Sequence, residues 1–344
     1  MELLGGLSPR TFLRRHWQKR PLLVRGALPG ADLLERGALA ALARRDDVES
    51  RIVKRRGARW DTAHGPFSGE ITLRKNSTLL VSGVNLHLPA ADALLRRFDF
   101  VPQARLDDLM VSYATPGGGV GPHVDSYDVF LLQGPGRRRW KVWLPGKKIL
   151  TCVVEPGDLL YLPPGLRHDG VAIDPCFTYS IGFRAPRGAE LGAAFLDWLH
   201  ERGLPEARYR DPGLAPARRS GRVPRQMIRF CEAVLARISW SRRDVARFVG
   251  EYLTTPKPHV VFRPGGGRRA LARSRVRLDP KTQLLYAGNR FFMNGESLSL
   301  SGGKARSLKN LADKRSGPGT ELRALAALIA QWHRAGYLHL EKAR

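Results

Sequence analysis

The sequence predicts a mainly β core, an antiparallel barrel or jelly roll, with helices before and after it and a mixed unit at the C-terminal end. Three observations predict this. Between Leu109 and Arg184, short apolar runs recur at regular spacing, separated by turns such as Gly134-Pro135-Gly136 and Glu155-Pro156-Gly157-Asp158. After Arg187 these runs stop and apolar residues take up helical spacing. Beyond a Pro/Gly-rich linker at 256–269, a hairpin and two further helices follow. The corresponding segments are 1–188, 189–262 and 263–344.

Ser8 as N-cap and Pro9 at the first helical position open a helix with Phe12, Leu13 and Trp17 on one face. A short strand at 21–25 and a helical composition at 31–43 come next. Residues 60–67, WDTAHGPF, read as a loop with aromatic anchors. Residues 78–88 read as a buried strand and 89–98 as a short amphipathic helix. The core strands are LMVSYAT (109–115), HVDSYDVFLLQ (123–133), RRRWKVWL (137–144), LLYLP (159–163), DGVAI (169–173) and FTYSIGFRA (177–185), with PGLRH (164–168) as a loop. Residues 191–202 carry an apolar stripe and end at Gly203. A Pro/Gly/Arg-rich connector at 208–222 leads to a helix opened by Pro224. The next helix is capped by Ser241, with Asp244 three residues on in a variant of the capping box. In the last segment a hairpin turns on Gly288-Asn289, helices cover 304–314 and 320–335, and a strand covers 337–340, a pattern that fits a winged-helix unit.

Charge sets this chain apart. Lys and Arg number 58 against 31 acids, a net charge of +27, which attracts polyanions. An arginine-rich composition spread over solvated faces gives the same total. The three cysteines have no CxxC spacing and fit a reducing cytoplasm. No apolar run reaches the roughly 18 residues of a membrane span.

The stretch GGGVGPHVD (117–125) places His123 and Asp125 two apart, so on a strand they share a face. His168 follows the Pro-Gly turn at 164–165 and reaches the rim of the neighbouring strand. Two histidines and a carboxylate with open coordination positions suit octahedral Fe(II). A structural zinc site closes with four ligands, and no fourth is evident. A 2-oxo acid co-substrate needs a cation for its distal carboxylate, and the planar fork of arginine suits it. Arg137, Arg138 and Arg139 are candidates. All three fit a solvated turn, but Arg138 shares the side of Trp140 and Val142, so it is the candidate that faces inward. Tyr127 has the parity of His123 and Asp125 and is expected to line the same cavity. Asp128 has the opposite, outward parity.

The stretches GGGVGPHVDSYDVFLLQGPGRRRW, EPGDLLYLPPGLRH and YSIGFRAP resemble the bacterial ribosomal oxygenases of the JmjC/cupin superfamily. FLRRHWQKRPLLVRGALPG and GARWDTAHGPF resemble the same group, and the likeness runs from about residue 10 to 340. It implies a double-stranded β-helix in 1–188, a helical dimerisation region in 189–262 and a winged-helix domain in 263–344. It implies hydroxylation dependent on Fe(II), 2-oxoglutarate and O₂, with an arginine of the sixteenth large-subunit ribosomal protein becoming 3-hydroxyarginine. It assigns His123, Asp125 and His168 to the iron and Arg138 to 2-oxoglutarate, and implies a homodimer. Tyr127 is the expected substrate contact. Two departures stand out. The connection at 141–154 is short, and Ala114 stands where relatives can carry serine. Histidyl hydroxylation and N-methyl-lysine demethylation share the same oxidant and stay open as alternatives. So does a cupin scaffold without catalysis that binds RNA or DNA, and the charge favours nonspecific adhesion to ribosomal RNA.

Overall fold

The computed structural model describes residues 2–265 and 270–342. The glycine-rich end of the 256–269 linker therefore lies outside the described residues. Packing divides the chain into two units. One takes Met1–Ala185, Pro256–Thr282 and Gly302–Arg344, and the other Pro186–Thr255 and Gln283–Ser301. Packing thus groups the segments differently from a linear division at 188 and 262.

The first unit opens with α1 (Pro9–Arg15), whose cap is Ser8, its hydroxyl accepting from the Thr11 N–H at 3.2 Å. Phe12 is buried, and Trp17, just past the helix, stacks on Tyr161. Then come β1 (Leu22–Val24), α2 (Arg36–Leu42), β2 (Ser50–Arg56), β3 (Arg59–His64), β4 (Ser77–Val81) and α3 (Pro89–Leu95). The core follows as β5 (Leu106–Ala114), β6 (His123–Val124), β7 (Val129–Gln133), β8 (Arg138–Trp143), β9 (Ile149–Val154), β10 (Leu159–Leu162), β11 (Arg167–Ala172) and β12 (Cys176–Phe183). Of these, β5, β7, β10 and β12 belong to an eight-stranded sheet ordered β1-β10-β7-β12-β5-β4-β2-β3. The other four form a second sheet ordered β6-β11-β8-β9. A chain that alternates between two facing sheets in this order is a jelly roll, the double-stranded β-helix expected above.

Several local expectations change. The stretch 60–67 is not a loop. It supplies β3, paired with β2 across a two-residue turn in which Gly57 takes φ +62, a conformation suited to hairpins. The run 123–133 is not one strand. It breaks after Val124 because β6 pairs with β11 while β7 pairs with β10 and β12, so the chain crosses between sheets at 125–128. Asp128 accordingly faces neither cavity nor solvent. It is fully buried and accepts hydrogen bonds from the Tyr161 hydroxyl at 2.6 Å and Gln18 Nε2 at 3.0 Å, beside Arg105 at 3.5 Å. The residues of the short connection form β9, and the stretch read as a loop before His168 already enters β11 at Arg167.

The second unit contains α4 (Gly188–Glu201), α5 (Arg225–Leu235) and α6 (Arg242–Thr254). Farther along the chain come β13 (Ser274–Leu278), β14 (Leu284–Ala287), β15 (Arg290–Met293), β16 (Glu296–Ser299), α7 (Gly302–Lys314), β17 (Ser316–Pro318), α8 (Ala326–Arg334) and β18 (Leu338–Lys342). Strands β14, β15 and β16 belong to the second unit, and the β17-β13-β18 sheet with α7 and α8 to the first. The capping box is present: Asp244 accepts from the Ser241 N–H at 2.8 Å, and Ser241 Oγ accepts from the Asp244 N–H at 3.3 Å. Glu251 of α6 ties this unit together. Its carboxylate accepts from Trp198 Nε1 at 2.7 Å, Arg202 Nη2 at 3.1 Å, Arg247 Nε at 2.6 Å and Ser297 Oγ at 2.6 Å. No helix among the described residues is long and apolar enough to cross a membrane.

Burial alone would raise the Glu251 carboxyl, but the bonds from Ser297, Trp198 and Arg247 outweigh it and hold the group below the usual glutamate range. A carboxyl lowered by folding contributes stability above its unfolded pKa and loses it as pH falls through the folded value. Glu251→Gln is therefore expected to cost about 1–3 kcal/mol at pH 7. In urea melts, the gap to the parent chain should narrow as pH falls below the usual glutamate range. A gap independent of pH would show that ionisation of Glu251 is irrelevant.

Candidate metal centre

The sheet pairing builds the site. In the β6–β11 register His123 lies directly opposite His168, and the imidazole centroids are 4.3 Å apart. Asp125 follows β6 and stands between them. Its Oδ1 is 3.8 Å from His123 Nε2, and its Oδ2 is 3.6 Å from His168 Nε2. One ligand atom from each of the three falls within 4.8 Å of the others.

The tautomers follow from the backbone. His123 Nδ1 is 2.9 Å from the Gly121 carbonyl, and His168 Nδ1 is 2.9 Å from the Leu166 carbonyl. A carbonyl only accepts, so both Nδ1 atoms carry the proton. Both Nε2 lone pairs then point toward Asp125, the arrangement in which a second hydrogen bond orients a metal-ligating histidine. Burial, with the neighbouring His123, pushes His168 below the usual histidine range despite the opposing Leu166 bond. Its neutral, metal-binding form is favoured. Two nitrogens and one carboxylate oxygen fit a divalent metal with open positions.

The three residues line a cavity of about 640 Å³ between the sheets. Arg138 projects into it from β8 and is 4% exposed. Its guanidinium lies 5.8 Å from the Trp140 ring centroid, and Nη2 contacts Cys176 Sγ at 3.8 Å. Its Nε is buried with no hydrogen-bond partner. Ala114 is paired with Cys176, so the thiol is the polar neighbour at this end of the cavity. By contrast Arg137 pairs with Asp174 on the surface, and Arg139 is exposed. The parity argument for Arg138 holds because β8 is continuous.

Tyr127 also lines the cavity, although the strand on which its parity was counted is broken before it. Burial, then the carboxylates of Asp125 and Asp108, push its phenol up to about 12, so it stays protonated. Asp108 was missed. The first core strand is expected from Leu109, yet β5 begins at Leu106 and points Asp108, Met110 and Ser112 into the cavity at strand period. Asp108 Oδ2 accepts from the Gly83 N–H at 2.8 Å, and both Asp108 and Tyr127 approach Gly182. Burial pushes the Asp108 carboxyl up, with Lys257 opposing. Trp60, taken as a loop anchor, is a further wall residue.

The glycines at 117–119 lie beside the site and are packed: a Cβ at Gly118 would collide with the Ser77 carbonyl, and one at Gly119 with that of Gly170. Their backbone continues the pairing with β11, Ala172 N–H donating to the Gly118 carbonyl at 2.9 Å.

Comparison with known proteins agrees with this geometry. Residues 93–191 match the JmjC domain, and 236–339 match a ROXA-like winged helix. The chain is 36% identical to ribosomal protein uL16 3-hydroxylase of Escherichia coli, over 96% of this chain and 98% of that one. The chain belongs to the JmjC ribosomal-oxygenase family. A probable ribosomal oxygenase of Haemophilus influenzae is 38% identical over 54% of this chain and 52% of its own length. The structure of YcfD, a ribosomal oxygenase from E. coli in complex with cobalt and 2-oxoglutarate, superposes with a TM-score of 0.82 at 33% identity. That match covers 98% of this chain and 99% of YcfD. Family membership accounts for the jelly roll and the winged helix.

Titration of the metal-free protein with Co(II), followed by its visible absorption, should show one equivalent bound. His123→Ala, Asp125→Ala and His168→Ala should each weaken binding at least about 100-fold with the melting profile retained. Binding unchanged in any one variant removes that residue from the ligand set.

Proposed function

We propose that this ribosomal-oxygenase chain is an Fe(II)- and 2-oxoglutarate-dependent hydroxylase that converts an arginine of ribosomal protein uL16 to 3-hydroxyarginine. The carrying observation is the His123–Asp125–His168 cluster in one cavity with a buried guanidinium whose Nε is unpartnered. The near full-length identity to a uL16 3-hydroxylase supplies the substrate. In this scheme the chain acts as a catalytic domain (1–188), a helical dimerisation region (189–262) and a winged-helix domain (263–344), in the cytoplasm.

His123, Asp125 and His168 would hold the iron. When bound, Fe(II) supplies the chemistry by which 2-oxoglutarate becomes succinate and CO₂ while one atom of O₂ enters a substrate C–H bond. The protein's part is placement and exclusion of water. Arg138 receives the distal carboxylate of 2-oxoglutarate, its free Nε among the donors, with Val129, Leu131 and Trp140 walling the passage. Asp108 and Tyr127 together meet the substrate guanidinium. The carboxylate pairs with it and the ring covers its flat face. A guanidinium beside Asp108 counters the burial that raises its carboxyl.

The partner in solution is a second copy of this chain. Among the described residues α4 and α5 bury no side chain, and Leu196, Ile228, Leu235 and Trp240 are exposed. Amphipathic helices of this length are not self-supporting in water and require a cover. The net charge also favours loose adhesion to ribosomal RNA.

Protein incubated with Fe(II), 2-oxoglutarate, O₂ and uL16 peptides should add one oxygen to an arginine, read by mass spectrometry. Oxygen added at histidine, or methyl loss from a methyl-lysine peptide, would move the chain to another substrate class. No turnover by metal-loaded protein overturns the enzyme assignment. Arg138→Ala should raise the KM for 2-oxoglutarate about 10- to 100-fold and leave Co(II) affinity intact. Light scattering should give twice 38.3 kDa for the parent chain and 38.3 kDa for Ile228→Glu/Leu235→Glu. A monomeric parent chain removes the dimer.

A further inference from the structure

We propose that the outer face of the β6-β11-β8-β9 sheet is a binding surface for single-stranded RNA. The face is defined by parity. Side chains facing the cavity alternate with an outward set, and on β8 that set is Arg139, Lys141 and Trp143. Arg167 of β11 belongs to it, and Lys147 and Lys148 extend it at the β8–β9 turn. All five cations are exposed, and none is in an ion pair among the described residues. Elsewhere in the unit, Arg25, Arg45, Arg96, Arg105 and Arg137 pair with aspartates, while Arg10, Arg59 and Arg97 are exposed without an ion pair among the described residues. What marks this face is charge arrayed around one indole.

The face also carries aromatic and apolar surface. Trp143 has Lys141 Nζ 5.0 Å and Arg167 Cζ 4.9 Å from its ring centroid. Val124 and Ile149, at the two edge strands, are 55% and 48% exposed. Asp169 is the acid of this face. It lies opposite Lys141 in the β11–β8 register, with one carboxylate oxygen buried and unpartnered. Cations that pair with phosphates, beside an indole and a guanidinium plane on which bases stack, match the chemistry of single-stranded RNA. An acidic protein would use the charges and leave the stacking surface unused. A duplex would use the phosphate contacts alone. Arg167 adjoins His168, and Val124 adjoins His123, so an RNA strand on this face runs along the wall of the cavity. That places it where a ribosomal substrate still attached to its RNA would arrive. The placement of the surface does not depend on the hydroxylase assignment.

The test uses the full chain and a fluorescein-labelled 20-nucleotide oligouridylate, with anisotropy measured from low to moderate salt. Arg139→Gln/Lys141→Gln/Arg167→Gln should weaken binding at least about 10-fold. It should also flatten the slope of log K against log salt by about 2, three phosphates at roughly 0.7 each. Trp143→Leu should weaken binding about 5- to 100-fold through lost stacking. A control with equal charge loss, Arg208→Gln/Arg210→Gln/Arg218→Gln, should leave affinity near that of the parent chain. Melting temperatures should match throughout. The proposal fails if the control weakens binding as much as the sheet variant, which would mean diffuse attraction. It fails equally if Trp143→Leu is silent and heparin competes as well as RNA, which would mean a generic anion surface.

Discussion

The site depends on one register, that of β6 against β11. Strand side chains alternate, so a slip of one residue would turn His123 or His168 to the outer face. Strand β6 has two residues and cannot hold that register by itself. It is held by its surroundings. On its other side β11 pairs with β8 from His168↔Val142 to Ala172↔Arg138. At one end Gly165 N–H donates to the Asp125 carbonyl at 2.9 Å, and at the other Gly117 N–H donates to Ala172 at 2.9 Å. Strand β11 therefore aligns both ends of the chemistry: His168 on itself, His123 on β6 and Arg138 on β8. The glycines of 117–119 serve that alignment, since the loop must lie against the backbones of β4 and β11 with no side chain between.

Much of this was legible because it rests on spacing within one continuous element. The His123/Asp125 pair, the inward parity of Arg138 and the Ser8 and Ser241 caps needed only local rules. Failures came where the chain changes sheet. Counting parity through Ser126 assumed an unbroken strand and put Asp128 on the surface, although it is buried against Tyr161. Tyr127 reached the cavity for a reason other than the one that nominated it. Asp108 stayed hidden because it precedes the apolar run that marks the strand, and only the pairing of β5 with β12, which extends to Leu106↔Phe183, makes it a wall residue. Residues 283–301 gave a local hairpin, but their association with α6 is long-range, through Ser297 and Glu251, and leaves no periodic trace.

The charge distribution opposes the overall sign of the molecule. The chain is strongly basic, yet Glu49, Asp107 and Asp108 stand on the cavity wall, interspersed with Arg51 and Lys257. Lys257, 3.2 Å from Asp107, occupies part of this acidic wall. Asp108 lacks such a close partner among the described residues and offers its carboxylate to the cavity. An imidazole is smaller than a guanidinium and presents one donor at a time in its neutral form, so it would use this carboxylate less fully. In the proposed scheme this carboxylate therefore favours a guanidinium over an imidazole.

Arg138 shows how such a site stores its specificity. A guanidinium removed from water without a carboxylate costs several kcal/mol. The Cys176 thiol and the Trp140 ring return part of that, since both are weak partners for a full charge. Replacing the arginine with an apolar residue would make this end of the cavity more comfortable in isolation. The arrangement is economical only when an anion of the right length arrives, because its carboxylate then meets a donor already desolvated and held in place by β8. A ligand too short to span from the metal to Arg138 leaves that charge unpaired, and one without a carboxylate buries it for no return. The distance between the two ends is fixed by strand pairing, so under the proposed role of Arg138 selectivity for the co-substrate would be a property of the sheet and not of any single side chain.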